Sequence, residues 1–126
     1  LLIDYGYKKN SMKDTIQSVY KHEKNEVFNN VGKSDITHHI SFDLISKIAK
    51  KFKLKCSNII TQSDFLVNLG ILERAEIISR NLPFTKKANI YFRLKRLIDK
   101  NQMGKLFKVI FLANNNSFFN RGFKTD

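Results

Sequence analysis

Much of what marks a function in other chains is scarce here. Cys56 is the one cysteine in 126 residues, so no internal disulfide forms and no cysteine-based metal pattern exists. The five glycines, Gly6, Gly32, Gly70, Gly104 and Gly122, stand apart from one another. Neither a P-loop nor a dinucleotide-binding fingerprint is built from isolated glycines. No G-x-S-x-G elbow is present, which removes that group of hydrolases. Tryptophan is absent and Pro83 is the single proline. No apolar run approaches the ~20 residues of a membrane-spanning helix.

Acidic residues are also few, 11 against 23 Lys and Arg, for a net charge of +12. That excess points to an anionic partner such as nucleic acid. A blander account competes. The excess is mostly lysine, accompanied by Asn and Ile, as the codons of an AT-rich genome produce. Lys47, Lys50, Lys51 and Lys53 fall opposite an apolar helical stripe, which reads as a solvated face. Phe is abundant, but it sits on apolar stripes beside Leu and Ile and reads as core rather than as a base-stacking platform. A cytoplasmic setting fits the cysteine usage.

What is present begins with Leu1-Leu2-Ile3-Asp4-Tyr5-Gly6. A short apolar run reads as a strand buried on both faces. In open α/β sheets chemistry gathers at the carboxyl edge, and Asp4, Tyr5 and Gly6 fall there. Asp4 reads as a pocket acid or a turn cap, and Gly6 as a residue of positive φ. A buried strand at the very start implies that neighbouring strands come from elsewhere, so the chain reads as the C-terminal portion of a longer protein. Asp14-Thr15 reads as the start of a short helix with Ile16, Val19 and Tyr20 on one side. Asn29 to Gly32 is a turn. Ser34 to Phe42 reads as extended, entering a helix over 43–53 capped at Ser41 or Asp43. Leu44, Ile45, Ile48, Ala49 and Phe52 form its apolar stripe.

Residues 54–61 read as a strand with Cys56 as a small buried hydrophobe. Ser63 or Asp64 caps a helix stopped at Gly70. A second helix, with Leu72, Ala75 and Ile77 or Ile78 inward, closes before Pro83. A third runs from Thr85 to Met103-Gly104. Lys105 to Ala113 reads as a strand, and 114–126 as a loose tail or one packed on a neighbouring surface. The result is α/β, with too few strands to make a covered sheet alone. His38-His39 is tempting as a metal pair with His22 and Asp35, but adjacent residues of an extended segment point to opposite sides. One buried, hydrogen-bonded His and one exposed His is the simpler arrangement.

These segments together resemble the MidA-like methyltransferases, a family that includes an arginine methyltransferase assisting assembly of respiratory complex I. Leu2-Ile3-Asp4-Tyr5-Gly6 resembles its "IIDYG", and Asp14-Thr15 its "DT". His22, Gly32 and Asp35-Ile36-Thr37-x-His39-Ile40-x-Phe42 resemble "H … G-x-x-D-L-T-x-H-V-x-F". Thr61-Gln62-x-x-Phe65-Leu66-x-x-Leu69-Gly70-Ile71 and Met103-Gly104-x-x-Phe107-Lys108-Val109 resemble two further family motifs. Order and spacing agree over residues 1–112. Tyr7 departs from the His common in the family at that place, which bears on substrate specificity.

The resemblance implies a class I S-adenosylmethionine-dependent, Rossmann-like fold with a seven-stranded sheet. Residues 1–113 would supply its last third. Leu1–Asp4 would be its fifth strand, 54–61 its sixth, and 105–113 a seventh antiparallel to the rest. It implies methylation of a protein arginine, with S-adenosylmethionine as cofactor. The family's cofactor motifs (the Gly-rich loop, the ribose acid and the Asn-Glu stretch) have no match here, so the segment alone should be inactive. Asp4, Tyr5, Gly6, His22, Asp35, Thr37 and His39 become candidates for the substrate pocket, with Gln62 behind them. Asp35, Thr37 and His39 would belong to a loop closing over the substrate. No residue here is assigned to catalysis, cofactor binding or a metal. Two other readings stand beside it: a non-catalytic binding module or relic that pairs with a separate N-terminal half, and a small basic nucleic-acid binder. An open strand edge predicts self-association of the isolated chain.

Overall fold

The computed structural model describes residues 1–9, 14–114 and 121–123. The strands are β1 (Leu2–Tyr7), β2 (Gln17–Tyr20), β3 (Glu23–Asn25), β4 (Asp35–Thr37) and β5 (Ile40–Ser41). Helix α1 (Phe42–Lys51) precedes β6 (Lys55–Cys56) and β7 (Ile60–Thr61). Helices α2 (Gln62–Asn68), α3 (Ile71–Ser79), α4 (Phe84–Ile98) and α5 (Met103–Leu106) follow, then β8 (Phe107–Ile110) and β9 (Leu112–Ala113). The architecture is α/β, with helices beside a four-stranded mixed sheet ordered β5-β1-β8-β7. β1 runs parallel to β5, and β8 runs antiparallel to both β1 and β7. Two small sheets accompany it, ordered β3-β2-β4 and β6-β9.

The region after Asp14 is a hairpin, not the short helix expected. Asp14 Oδ1 accepts the Ile16 N–H at 3.0 Å, turning the chain into β2. Tyr20 pairs with Glu23 across a two-residue loop. Lys21 and His22 both have positive φ, 51° and 68°, the combination whose twist suits a tight hairpin. A three-residue apolar stripe is too short to outweigh pairing of β2 on both edges.

Residues 54–61 split into two strands where one was expected. The break is at Ser57, whose N–H donates to the Phe111 carbonyl while its Oγ accepts the Phe111 N–H, each at 2.9 Å. The returning chain breaks at the same level, so β6 pairs with β9 and β7 with β8.

Two helix starts are side-chain caps. Ser41 Oγ accepts the Leu44 N–H at 3.3 Å, as expected for α1. For α2 the cap is Thr61, earlier than Ser63 or Asp64. Its Oγ1 accepts the Asp64 N–H at 3.1 Å and donates to Asp64 Oδ2 at 2.7 Å, closing both ends of the cap. Gly70, at φ 80°, separates α2 from α3. Helix α4 stops at Ile98 rather than at Met103-Gly104. Asp99 turns extended there, and its carbonyl accepts the N–H groups of Gln102 and Gly104. A Cβ at Gly104 would lie 2.2 Å from the Ile98 carbonyl oxygen, so only glycine permits this return.

Phe42, Val109 and Ile110 are fully buried. Phe65 of α2 packs on Val109 and on Phe123, with ring centroids 5.2 Å apart for the two phenylalanines. Of the tail expected to be loose or packed on a neighbouring surface, residues 115–120 and 124–126 lie outside the described ones. Of the rest, Phe123 is buried, and the Gly122 carbonyl accepts a hydrogen bond from Asn68 Nδ2 at 3.0 Å. The apolar stripes are covered less than expected. Ala49 and Ala75 are buried, yet Leu44, Ile48, Phe52, Ile77, Ile78 and Phe92 are exposed. No described helix is long and apolar enough to cross a membrane.

Candidate functional site

Asp4, Tyr5 and Gly6 lie within β1, not beyond its end, because the ladder to β8 runs through Tyr5↔Phe107 and that to β5 through Gly6↔Ile40 and Tyr7↔Ser41. The strand is also less covered than expected, with Ile3 exposed. Asp4 Oδ1 accepts the N–H of Tyr5 at 2.8 Å. The Tyr5 ring meets Phe107 edge-on, centroids 4.9 Å apart, and tilts against His39 at 6.2 Å. Gly6 does not serve a positive φ. A Cβ there would sit 2.3 Å from the Ile40 carbonyl oxygen and 2.8 Å from the Phe42 ring. Its lack of a side chain is what lets β5 and the start of α1 approach β1.

His39 arrives on the link between β4 and β5, where the three-stranded sheet meets the larger one. Its N–H donates to Thr15 Oγ1 at 3.1 Å, so the Asp14-Thr15 pair anchors this link. His39 is half-buried, while His38 is exposed with its ring Nδ1 3.1 Å from the His39 carbonyl oxygen. Asp35 and Thr37 are in a strand rather than a loop, paired with Val19 and Gln17 of β2. Asp35 is exposed, and His22 occupies the exposed hairpin turn.

The fold therefore brings Tyr5 and His39 together and adds Phe107, with Asp4 and Gly6 on the alternate face of β1. It does not join His22, Asp35 or Thr37 to them by any side-chain hydrogen bond, ion pair or ring contact. Gln62 is buried, and its Nε2 donates to the Leu97 carbonyl at 2.9 Å, tying α2 to the end of α4. The Thr61-to-Gly70 motif is thus architectural: a cap, a tie, a core phenylalanine and a left-handed glycine.

Phe107 and Lys108 were missing from the sequence-level candidates, although both stand in the last motif. Lys108 lies opposite Asp4 in register, and its ammonium donates to the carbonyls of Lys105 and Leu106. Burial, then repulsion from Lys8 and Lys105, holds its pKa below the usual lysine value. A cavity of about 390 Å³ beside the cluster is lined by Gly6, Lys100, Gln102, Lys105 and Lys108 among others.

Among the described residues, no group of three or more His, Cys, Asp or Glu could hold a metal ion. Nor do these residues fit S-adenosylmethionine. The cavity is rimmed by lysines, which repel a sulfonium, and the nearest carboxylate, Asp4, is engaged by a backbone N–H. No glycine-rich turn is available to admit a nucleoside against the backbone.

The fold is an α/β unit with a mixed sheet, and the known proteins it is similar to are methyltransferases. Residues 1–60 match the family model described as "Putative S-adenosyl-L-methionine-dependent methyltransferase". Two curated relatives are both named protein arginine methyltransferase NDUFAF7, mitochondrial. The Danio rerio protein is 27% identical over 114 residues, covering 90% of this chain and 26% of its own length. The Xenopus tropicalis protein is 27% identical over 109 residues, covering 86% and 25%. Two solved structures from Burkholderia thailandensis agree in fold. One, of an uncharacterized ACR superfamily protein, superposes with a TM-score of 0.86 at 25% identity, covering 96% of this chain and 34% of that one. The other, bound to S-adenosyl-homocysteine, gives a TM-score of 0.78 at 27% identity, covering 96% and 33%. The chain is thus related to the MidA-like S-adenosylmethionine-dependent methyltransferases. It spans about a quarter of the length of the curated relatives it matches.

Proposed function

We propose that this chain is the substrate-side, C-terminal part of a methyltransferase that modifies a protein arginine. The observation that carries the reading is the agreement of nearly the whole chain with a solved relative that holds S-adenosyl-homocysteine. In this reading β1, β8 and β7 correspond to the fifth, seventh and sixth strands of the family's sheet. Tyr5, His39 and Phe107 form an aromatic wall for the acceptor side chain, while Asp4, the preceding residue of β1, lies on the other face of the sheet with Lys108. His22, Asp35 and Thr37 belong to the hairpin sheet that borders this wall. The cofactor is held by sequence outside these 126 residues, so the segment alone transfers no methyl group. A bacterial cytoplasmic setting goes with this reading.

The test starts from the protein at the length found in its own cell. That protein is expected to bind S-adenosyl-homocysteine by calorimetry and to label an arginine peptide with methyl groups. The 126-residue chain alone is expected to do neither. His39→Ala in the longer protein should lower kcat while leaving the melt unchanged. A native-length protein that binds no S-adenosyl-homocysteine defeats the proposal.

A second reading, a module that pairs with a separate half, draws on one feature. From Leu2 to Tyr5, β1 is paired with β8 on one edge and with no described strand on the other, and Leu1 and Ile3 are exposed beside it. Such edges recruit further strands. Sedimentation of the isolated chain should then reveal self-association; a cooperative monomer removes this reading.

A further inference from the structure

Three lysines of one continuous stretch, residues 100–108, line the cavity beside Gly6. Lys100 comes from the turn after α4, Lys105 from α5 and Lys108 from β8. An adjoining cavity of about 270 Å³ shares Lys100 and Lys105. Lys8 is near enough to act on Lys108, whose pKa is lowered first by burial and then by repulsion from Lys8 and Lys105.

No described carboxylate neutralises them. The one ion pair among the described residues is Lys47–Asp43, on α1. Asp64, Asp4 and Asp99 keep their charge while accepting hydrogen bonds from Thr61, the Tyr5 N–H and the Asn101 N–H, but none comes within ion-pair distance of the three ammonium groups. Charge gathered without internal compensation costs stability through self-repulsion, and an anionic ligand relieves it. Neither cavity is lined by an aromatic ring, so nothing there stacks a nucleic-acid base. The cluster is compact rather than a stripe along which a phosphate backbone would run.

We infer that Lys100, Lys105 and Lys108 form a docking site for an acidic segment of the protein substrate, at the end of β1 that carries Gly6. The inference rests on the reading above, and it adds a selection rule: the target arginine lies near glutamates or aspartates. Contacts of this kind are weak individually and screened by salt.

Fluorescence anisotropy of a labelled glutamate-rich peptide with the 126-residue chain, at low ionic strength, tests it. Lys100→Gln with Lys105→Gln should weaken binding about fivefold, the effect of losing two partly screened charge contacts. Lys50→Gln with Lys51→Gln removes the same charge from α1 and should weaken it by less than half as much. Equal weakening by the two pairs overturns the site, because net charge alone then accounts for binding. Tighter binding of a single-stranded oligonucleotide of equal charge, itself weakened by the first pair, also overturns it in favour of nucleic acid. If the double variant loses its melt, Lys100→Glu on the exposed turn is read instead, and unchanged binding by that folded variant overturns the inference. Peptide binding needs no methyl transfer, so the two readings fail separately. An inactive native-length protein with lysine-dependent peptide binding defeats only the methyltransferase, and an active one indifferent to the lysines defeats only this site.

Discussion

In the β5-β1-β8-β7 sheet the central strand is sealed by Val109 and Ile110, both fully buried, whereas in the β3-β2-β4 sheet the one fully buried side chain is Ser18. Its hydroxyl has no hydrogen-bond partner among the described residues. The first sheet is ordered by removal of apolar surface from water. The second is ordered by backbone pairing and by turns such as Lys21-His22. Sheets of the second kind open with less free energy. Their meeting point is the His39 link, so the candidate wall has one rigid side, Tyr5 and Phe107, and one side carried by the weaker sheet.

Four expectations would break or sharpen this contrast. Phe65→Ala empties the contact with Val109 and Phe123 and should cost about 4 kcal/mol by denaturant unfolding. A loss as small as that of a surface change would mean the larger sheet is not the stable unit. Gly6→Ala sets a methyl group against the Ile40 carbonyl and should cost about 3 kcal/mol. Native-state hydrogen exchange should then show β5 and the His39 link opening before β1 and β8.

Ser18→Ala removes a buried unpaired hydroxyl and should stabilise the hairpin sheet by about 1 kcal/mol. Loss of stability instead would mean that Ser18 has a partner. The smallest effect concerns Lys108. Its pKa is lowered from 10.5 in the folded state, chiefly by burial. Between the folded value and 10.5 the unfolded chain holds more protons, so this residue makes stability rise with pH. The penalty for the charged form is full below that window. Lys108→Met should flatten the rise in urea titrations taken across the alkaline range; an unchanged slope would assign it to other groups.

Several parts of the fold were legible because their causes are local. Ser41 as a cap and Gly70 as a stop each depend on a few neighbouring residues. Other parts depended on distant partners. Gln17–Tyr20 carries both a helical and an extended pattern, and pairing with β3 and β4 decides between them. The stripes on α1, α3 and α4 were legible as stripes, but not which half of each is covered. Of the candidate site, Tyr5 and His39 were picked from motif residues and come together, while Asp4 and Gly6 lie on the alternate face of the strand. His22, equally prominent in the motif, sits on a turn, and Phe107 was overlooked as an ordinary strand residue.

The sequence by itself determined the α/β class, the Ser41 cap, the Gly70 stop and the resemblance to the methyltransferases, since these rest on residue type and spacing. The tertiary structure alone decided that Gly6 is a point of close approach and that Tyr5 faces both His39 and Phe107. The physical reason is distance along the chain. Tyr5 and Phe107 become neighbours only when β8 returns antiparallel to β1, and no local propensity encodes where a strand a hundred residues away will pair.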